Sequence, residues 1–180
     1  FRLVKDRALI NRMGFNNQGI DRVISNIKKS KWVKEKRGVL GINLGINSST
    51  PLDSAHDDYN IGLEKCFSFA DYFVINISSP NTKNLRKLHE NNYLEKLLYQ
   101  LKFKQSTLNK VYKTSKPLFF KISPDLKDNQ LEEIAKALNK FEIEGVIISN
   151  TTESRPNLFD NKKSEKGGLS GNPLKNISLS

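Results

Sequence analysis

Cysteine is almost missing from this chain: Cys66 stands alone, so no internal disulfide can form and a reducing compartment is the default. Its place on the apolar stripe of an expected helix reads as a packed thiol, not a nucleophile. Histidine is nearly as scarce. His56 and His89 lack cysteines or carboxylates at ligand spacing, and no metal is expected. No apolar run approaches the ~20 residues needed to span a bilayer, and no targeting segment is visible. Acidic residues are in deficit, 19 against 30 Lys and Arg, for a net charge of +11. That imbalance invites an anionic partner. Yet the densest basic stretch, Lys28, Lys29, Lys31, Lys34, Lys36 and Arg37, carries only Trp32 as an aromatic and no nucleic-acid motif. It reads as a solvated helix end, and no nucleic-acid partner is expected.

What is present is a repeating pattern. The 180 residues, 37% hydrophobic, fall into four βα-like units with no linker and no low-complexity segment between them. Ile20, Val23, Ile24 and Ile27 recur at helical spacing over residues 18–30, followed by the strand 38–43. Tyr59, Leu63, Cys66, Phe67 and Ala70 form the next stripe, ahead of a strand over 72–76. Leu94, Leu97, Leu98 and Leu101 precede a strand at 117–122, and Leu131, Ile134, Ala135 and Leu138 precede one at 145–150. Strands without polar alternation, separated by helices, predict an α/β fold with a parallel sheet covered by helices. A doubly wound dinucleotide fold should show G-x-G-x-x-G after a strand, and none appears. A (β/α)8 barrel instead gathers its functional groups at the C-terminal ends of many strands. Here the strands end in Asn43, Asn76, Lys121 and Ser149-Asn150. A barrel needs about 250 residues. The chain is therefore expected to be a partial barrel, an internal piece of a longer protein that opens on Phe1 and closes in the start of a helix.

Three polar clusters carry the chemistry. Asn76-Ile77-Ser78-Ser79-Pro80-Asn81-Thr82 ends an apolar run abruptly in amides and hydroxyls, which suits a planar, amide-rich small molecule or merely a turn. Lys121 interrupts an apolar strand, where an unpaired ammonium is costly. It must pair with a carboxylate such as Asp125 or meet an electron-rich ligand. Asn11-Arg12-Met13-Gly14-Phe15-Asn16-Asn17 precedes the first helix, which Asn16 or Asn17 could cap. Gly167-Gly168-Leu169-Ser170-Gly171 reads as a phosphate cradle or a mobile loop.

Taken in order with Gly41-Ile42-Asn43, Lys121-Ile122-Ser123-Pro124-Asp125-Leu126 and Asn150-Thr151-Thr152, these motifs closely resemble dihydroorotate dehydrogenase over essentially the whole chain. Ser79, where class 1 enzymes carry cysteine, makes the likeness one to the class 2, quinone-dependent type. The resemblance implies a single FMN-binding (β/α)8 barrel domain, with residues 1–180 its central part. The N-terminal membrane and quinone helices and the C-terminal phosphate-binding strands lie outside it. It implies oxidation of (S)-dihydroorotate to orotate in pyrimidine synthesis, with a quinone as acceptor. Ser79 is then the base, Thr82 a proton relay and Phe15 a shield. Asn11, Arg12, Met13, Gly14, Phe15, Asn76, Asn81, Asn150 and Thr151 would meet substrate, and Asn43, Asn76, Lys121, Ser149 and Gly171 would meet FMN. The full-length protein is expected at the bacterial inner membrane or the mitochondrial inner membrane, with these 180 residues themselves soluble and inactive. Alternatives are another FMN barrel acting on a dihydropyrimidine or dihydrouridine, or a non-catalytic fragment or basic binding module.

Overall fold

A computed structural model describes residues 1–81 and 85–179. The chain opens with an antiparallel hairpin, β1 (Arg2–Leu3) and β2 (Ala8–Asn11), then α1 (Ile20–Lys29) and the single turn α2 (Lys31–Lys34). Four parallel strands follow: β3 (Gly41–Leu44), β4 (Tyr72–Asn76), β5 (Leu118–Lys121) and β6 (Gly145–Ile147). Between them run α3 (Ala55–Cys66), α4 (Asn91–Tyr112) and α5 (Asp128–Lys140). Strand β7 (Gly168–Gly171) and α6 (Asn172–Leu179) close the described chain.

The four strands lie side by side in sequence order, β3-β4-β5-β6. A doubly wound sheet reverses its strand order partway and covers both faces. This sheet does neither. Ile42, Leu44, Phe73, Ile75, Leu118 and Phe120 alternate along their strands and pack into one core with the helices. That core takes Tyr59, Leu63 and Cys66 from α3, the leucines of α4, and Ile134, Ala137 and Leu138 from α5. Residues of opposite parity face the other way. By register they line up as Gly41 with Tyr72, Asn43 with Val74 with Phe119 with Gly145, and Asn76 with Lys121 with Ile147. One helix-covered face and one helix-free face is the arrangement of a barrel wall.

The lower part of the helix-free face is filled by rings lying over glycines. A side chain at Gly41 would meet the Tyr72 ring at 2.1 Å, and one at Gly145 would meet the Phe119 ring at 2.4 Å. Tyr72 and Phe119 themselves meet edge to face, 5.4 Å between centroids. Above this floor the face turns polar.

The antiparallel sheet β1-β2-β7 has its own small core of Leu3, Ala8, Ile10, Leu158 and Leu169. It sits over the ends of the parallel strands, tied there by a bridge between Thr152 and Leu169. Buried Asp6 accepts from the backbone N–H groups of Phe159 and Asp160 and so fixes the long loop beneath it. The glycine-rich segment expected as a cradle or mobile loop is thus strand β7, paired with the Asn11 motif. The first helix is capped by Gly19, at φ 87, and neither Asn16 nor Asn17 occupies the cap position. Asn17 instead accepts from Gly19 N–H at 2.8 Å. Leu131 and Ala135, expected on the buried stripe of α5, are exposed; Ala137 takes their place.

Candidate active site

Five segments deliver polar groups to the upper end of the helix-free face: the ends of β2, β3, β4, β5 and β6. Asn76, at the end of β4, is buried, and its Oδ1 accepts from Ser78 N–H at 3.2 Å, Ser78 Oγ–H at 3.0 Å and Asn150 Nδ2 at 3.3 Å. The Asn150 amide also donates to Ser78 Oγ at 3.0 Å, while its Oδ1 accepts from Thr151 N–H at 2.8 Å. Tyr59, wholly buried on α3, donates its hydroxyl to the Asn76 carbonyl at 3.0 Å. Burial drives its phenol to a higher pKa, so it serves as a neutral donor under the strand end.

A second amide pair joins the same turn to the first motif. Asn81 Nδ2 donates to the Asn11 backbone carbonyl at 3.2 Å and to Asn11 Oδ1 at 3.3 Å. Asn11 Oδ1 also accepts from Met13 N–H at 3.3 Å, so the first motif folds back on itself. On the turn that runs from Asn76 to Asn81 lies Ser79, buried, its Oγ accepting from Asn81 N–H at 3.3 Å. The Ser79 hydroxyl proton and the Nδ2 of Asn76 have no protein partner among the described residues. One donor and one hydroxyl are therefore free to meet a ligand.

Lys121 pairs in register with Asn76 and shares its face. Asp125 does not reach it. That carboxylate is bound to Arg86 at 2.9 Å, to Glu153 N–H at 2.9 Å and to Thr152 Oγ1. The ammonium is half-buried with no partner among the described residues, and desolvation holds its pKa below the usual lysine value. The ion pair with Asp125, one of the resolutions open to the sequence, is absent.

The other expected residues fall in different places. Gly14 (φ 67) brings its backbone to the carbonyl of Asn81, and the Phe15 ring lies against Gly45, where a side chain would meet it at 2.5 Å. Asn43 is exposed on the helix-free face. The side chain of Arg12 turns outward to Glu165 and over the Phe1 ring, and Met13 is exposed. Ser149 Oγ is engaged with the Asn150 carbonyl at 2.9 Å. Gly171 packs its backbone on Arg7 and Ala8. Thr82 lies outside the described residues.

Three residues of this region were not singled out by sequence. Ser78 stands inside the quoted motif but is the hydroxyl that joins Asn76 to Asn150. Gly168, not Gly171, is the glycine against the amides: a side chain there would meet Thr151 Oγ1 at 2.0 Å and Pro80 at 3.2 Å. Arg86 ties the loops together, and no spacing or periodicity marks it.

Parallel strands in sequence order, with amides and a lysine unpaired among the described residues at their C-terminal ends, define part of a (β/α)8 barrel with a candidate small-molecule site at its mouth. Within that class the comparisons are specific. The sequence pattern of dihydroorotate dehydrogenase matches residues 1–180, and the chain belongs to that family. It is 50% identical over 178 residues to the dihydroorotate dehydrogenase (quinone) of Idiomarina loihiensis, covering 99% of this chain and 52% of the relative. To the enzyme of the same name from Haemophilus ducreyi it is 46% identical over 179 residues, again 99% and 52%. Among solved structures, ligand-free DHODH from Eimeria tenella superposes with a TM-score of 0.87 at 39% identity, covering 99% of this chain and 54% of that one. The ferulenol complex of the Eimeria tenella protein gives 0.89 at 39% identity, covering 99% and 52%. The fold matches part of the DHODH barrel, and the chain spans about half the length of the curated relatives it matches.

Proposed function

We propose that these residues form the part of a quinone-dependent dihydroorotate dehydrogenase that holds the substrate and accepts its C5 proton. The observation that carries this reading is Ser79, buried on the turn whose ends, Asn76 and Asn81, each belong to a hydrogen-bonded asparagine pair, Asn76–Asn150 and Asn11–Asn81. Neutral amides suit a ring that alternates carbonyl and N–H, because they match donors to acceptors without fixing a second charge in the pocket. Arg12, Met13, Gly14 and Thr151 would add backbone or flanking contacts around the same ring.

The family is FMN-dependent, and the residues present fit such a group. An ammonium without a partner among the described residues, beside Asn76 on the open sheet face, suits the electron-rich edge of a flavin ring. Asn43, Asn76, Lys121, Ser149 and Gly171 would hold it. FMN, when bound, would supply the hydride acceptor for C6 of dihydroorotate. Ser79 takes the C5 proton. A serine hydroxyl is a weak base in water, so it must act in a dry site and pass its own proton on. Phe15, packed on Gly45, shields that path, and Thr82 is the proposed relay. No helix among the described residues is long and apolar enough to cross a membrane. Quinone and membrane contact are assigned to the remainder of the full-length protein, on the quinone type of the relatives.

The test is Ser79→Ala in the full-length protein. Flavin bleaching by dihydroorotate in a stopped-flow instrument should slow by ~10²–10⁴-fold while bound FMN stays near wild type. An unchanged bleaching rate, or bleaching by dihydropyrimidines but not dihydroorotate, would sink the assignment.

A further inference from the structure

We infer that Arg86 is a positioning residue for this reaction: its guanidinium sets the spacing between the turn that carries Ser79 and the turn that carries Asn150. The inference rests on the function proposed above. Arg86 lies on the short 3-10 turn Leu85–His89, beyond β4. Its Nε donates to the Ser78 carbonyl at 3.3 Å and its Nη2 to the Thr151 carbonyl at 3.2 Å. Nη1 faces Asp125 at 2.9 Å and Glu153 at 3.0 Å. One planar group therefore touches the loops that follow β4, β5 and β6.

Both carbonyls belong to neighbours of site residues: Ser78 precedes Ser79, and Thr151 follows Asn150. Between the two anchored points lie the contacts of Asn150 Nδ2 with Ser78 Oγ and Asn76 Oδ1, at 3.0 and 3.3 Å. If the loops separate by an ångström, both bonds are lost and the amide no longer meets the ring that Ser79 deprotonates. Asp125 completes the device. It orients the fork, and through Glu153 N–H and Thr152 Oγ1 it holds the β6 loop independently. The side chains of Arg86 and Asp125 are 24% and 22% exposed, so solvent screens the pair only in part. Lysine keeps the charge but not the fork, and a point charge cannot serve two carbonyls and a carboxylate at fixed angles.

A merely structural ion pair would stabilise these loops without governing the chemistry, and the two roles separate by measurement. In the full-length protein, Arg86→Lys should leave FMN content unchanged and slow flavin reduction by dihydroorotate ~10–100-fold. The dihydroorotate KM should rise, and reoxidation by quinone should stay at the wild-type rate. Hydrogen exchange should speed together at Ser78, Asn81 and Thr151, with no change along β2. Asp125→Asn, which keeps the shape, should give the same pattern more weakly and serves if the lysine variant folds poorly. Wild-type reduction rates, losses that track lost FMN, or exchange that changes in only one turn would overturn the inference. A wild-type protein whose flavin dihydroorotate does not reduce would overturn the proposed function instead, and the exchange result would then decide the clamp alone.

Discussion

At the scale of the residue, Lys121 and Arg86 make an instructive pair of cations. Lys121 was legible because its letter conflicts with its neighbours: an ammonium between Phe120 and Ile122 demands a partner. Its partner proves not to be Asp125, and the resulting unpaired charge should cost the ligand-free fold. Lys121→Met is expected to raise the stability of the flavin-free protein by about 1 kcal/mol, read by urea unfolding. The same change should weaken FMN binding and slow flavin reduction. A variant that is both less stable and normally active would contradict this account. Arg86 was illegible for a physical reason. Two of its four acceptors are backbone carbonyls, and a carbonyl has no letter in the sequence. The four asparagines were readable as a set, but their pairing was not. Asn11 and Asn81 are 70 positions apart, and only the fold shows which amide each one meets.

At the scale of the element, the four parallel strands could be read because buried strands are uninterrupted apolar runs. The antiparallel sheet could not. Its strands are two to four residues long, and β7 is half glycine, which reads as loop. The reason for that composition lies in what the strand touches. Gly168 is buried with Thr151 Oγ1 and Pro80 where its side chain would be. Gly168→Ala is expected to destabilise the protein by roughly 1–3 kcal/mol, the usual cost of overpacking, because Thr151 is itself held through its neighbours. Thermal unfolding with and without orotate checks it: the mutant should lose part of the ligand-induced rise in Tm as well as basal Tm. The apolar stripes of α3 and α4 coincide with their buried faces. On α5 the apolar spacing includes Leu131 and Ala135, which face solvent. An apolar residue one turn early on a surface helix gives no sign of which side it lies on.

At the scale of the whole molecule, the described parallel sheet is a wall with two open edges. Strand β3 pairs only with β4, and β6 only with β5. Val146 is 43% and Ile148 64% exposed on and beside the β6 edge. Unpaired edges and bare apolar surface invite association. Residues 1–180 expressed by themselves should form concentration-dependent oligomers, bind a hydrophobic dye and retain little FMN. A monomer that retains stoichiometric flavin would show that the wall is sufficient alone. The sequence order of the wall also has a consequence in time. Each strand pairs with the one made just before it, so the sheet can grow as the chain emerges from the ribosome. The hairpin that carries Asn11 cannot join in this way. Its partner strand is far along the chain, with Leu9 and Ser170 separated by 161 positions. Closing so long a loop is slow. Of the residues 1–180, Asn11 is made before its partner strand and reaches its place only after that strand exists, so the mouth stays unfinished until nearly all of these residues have been made.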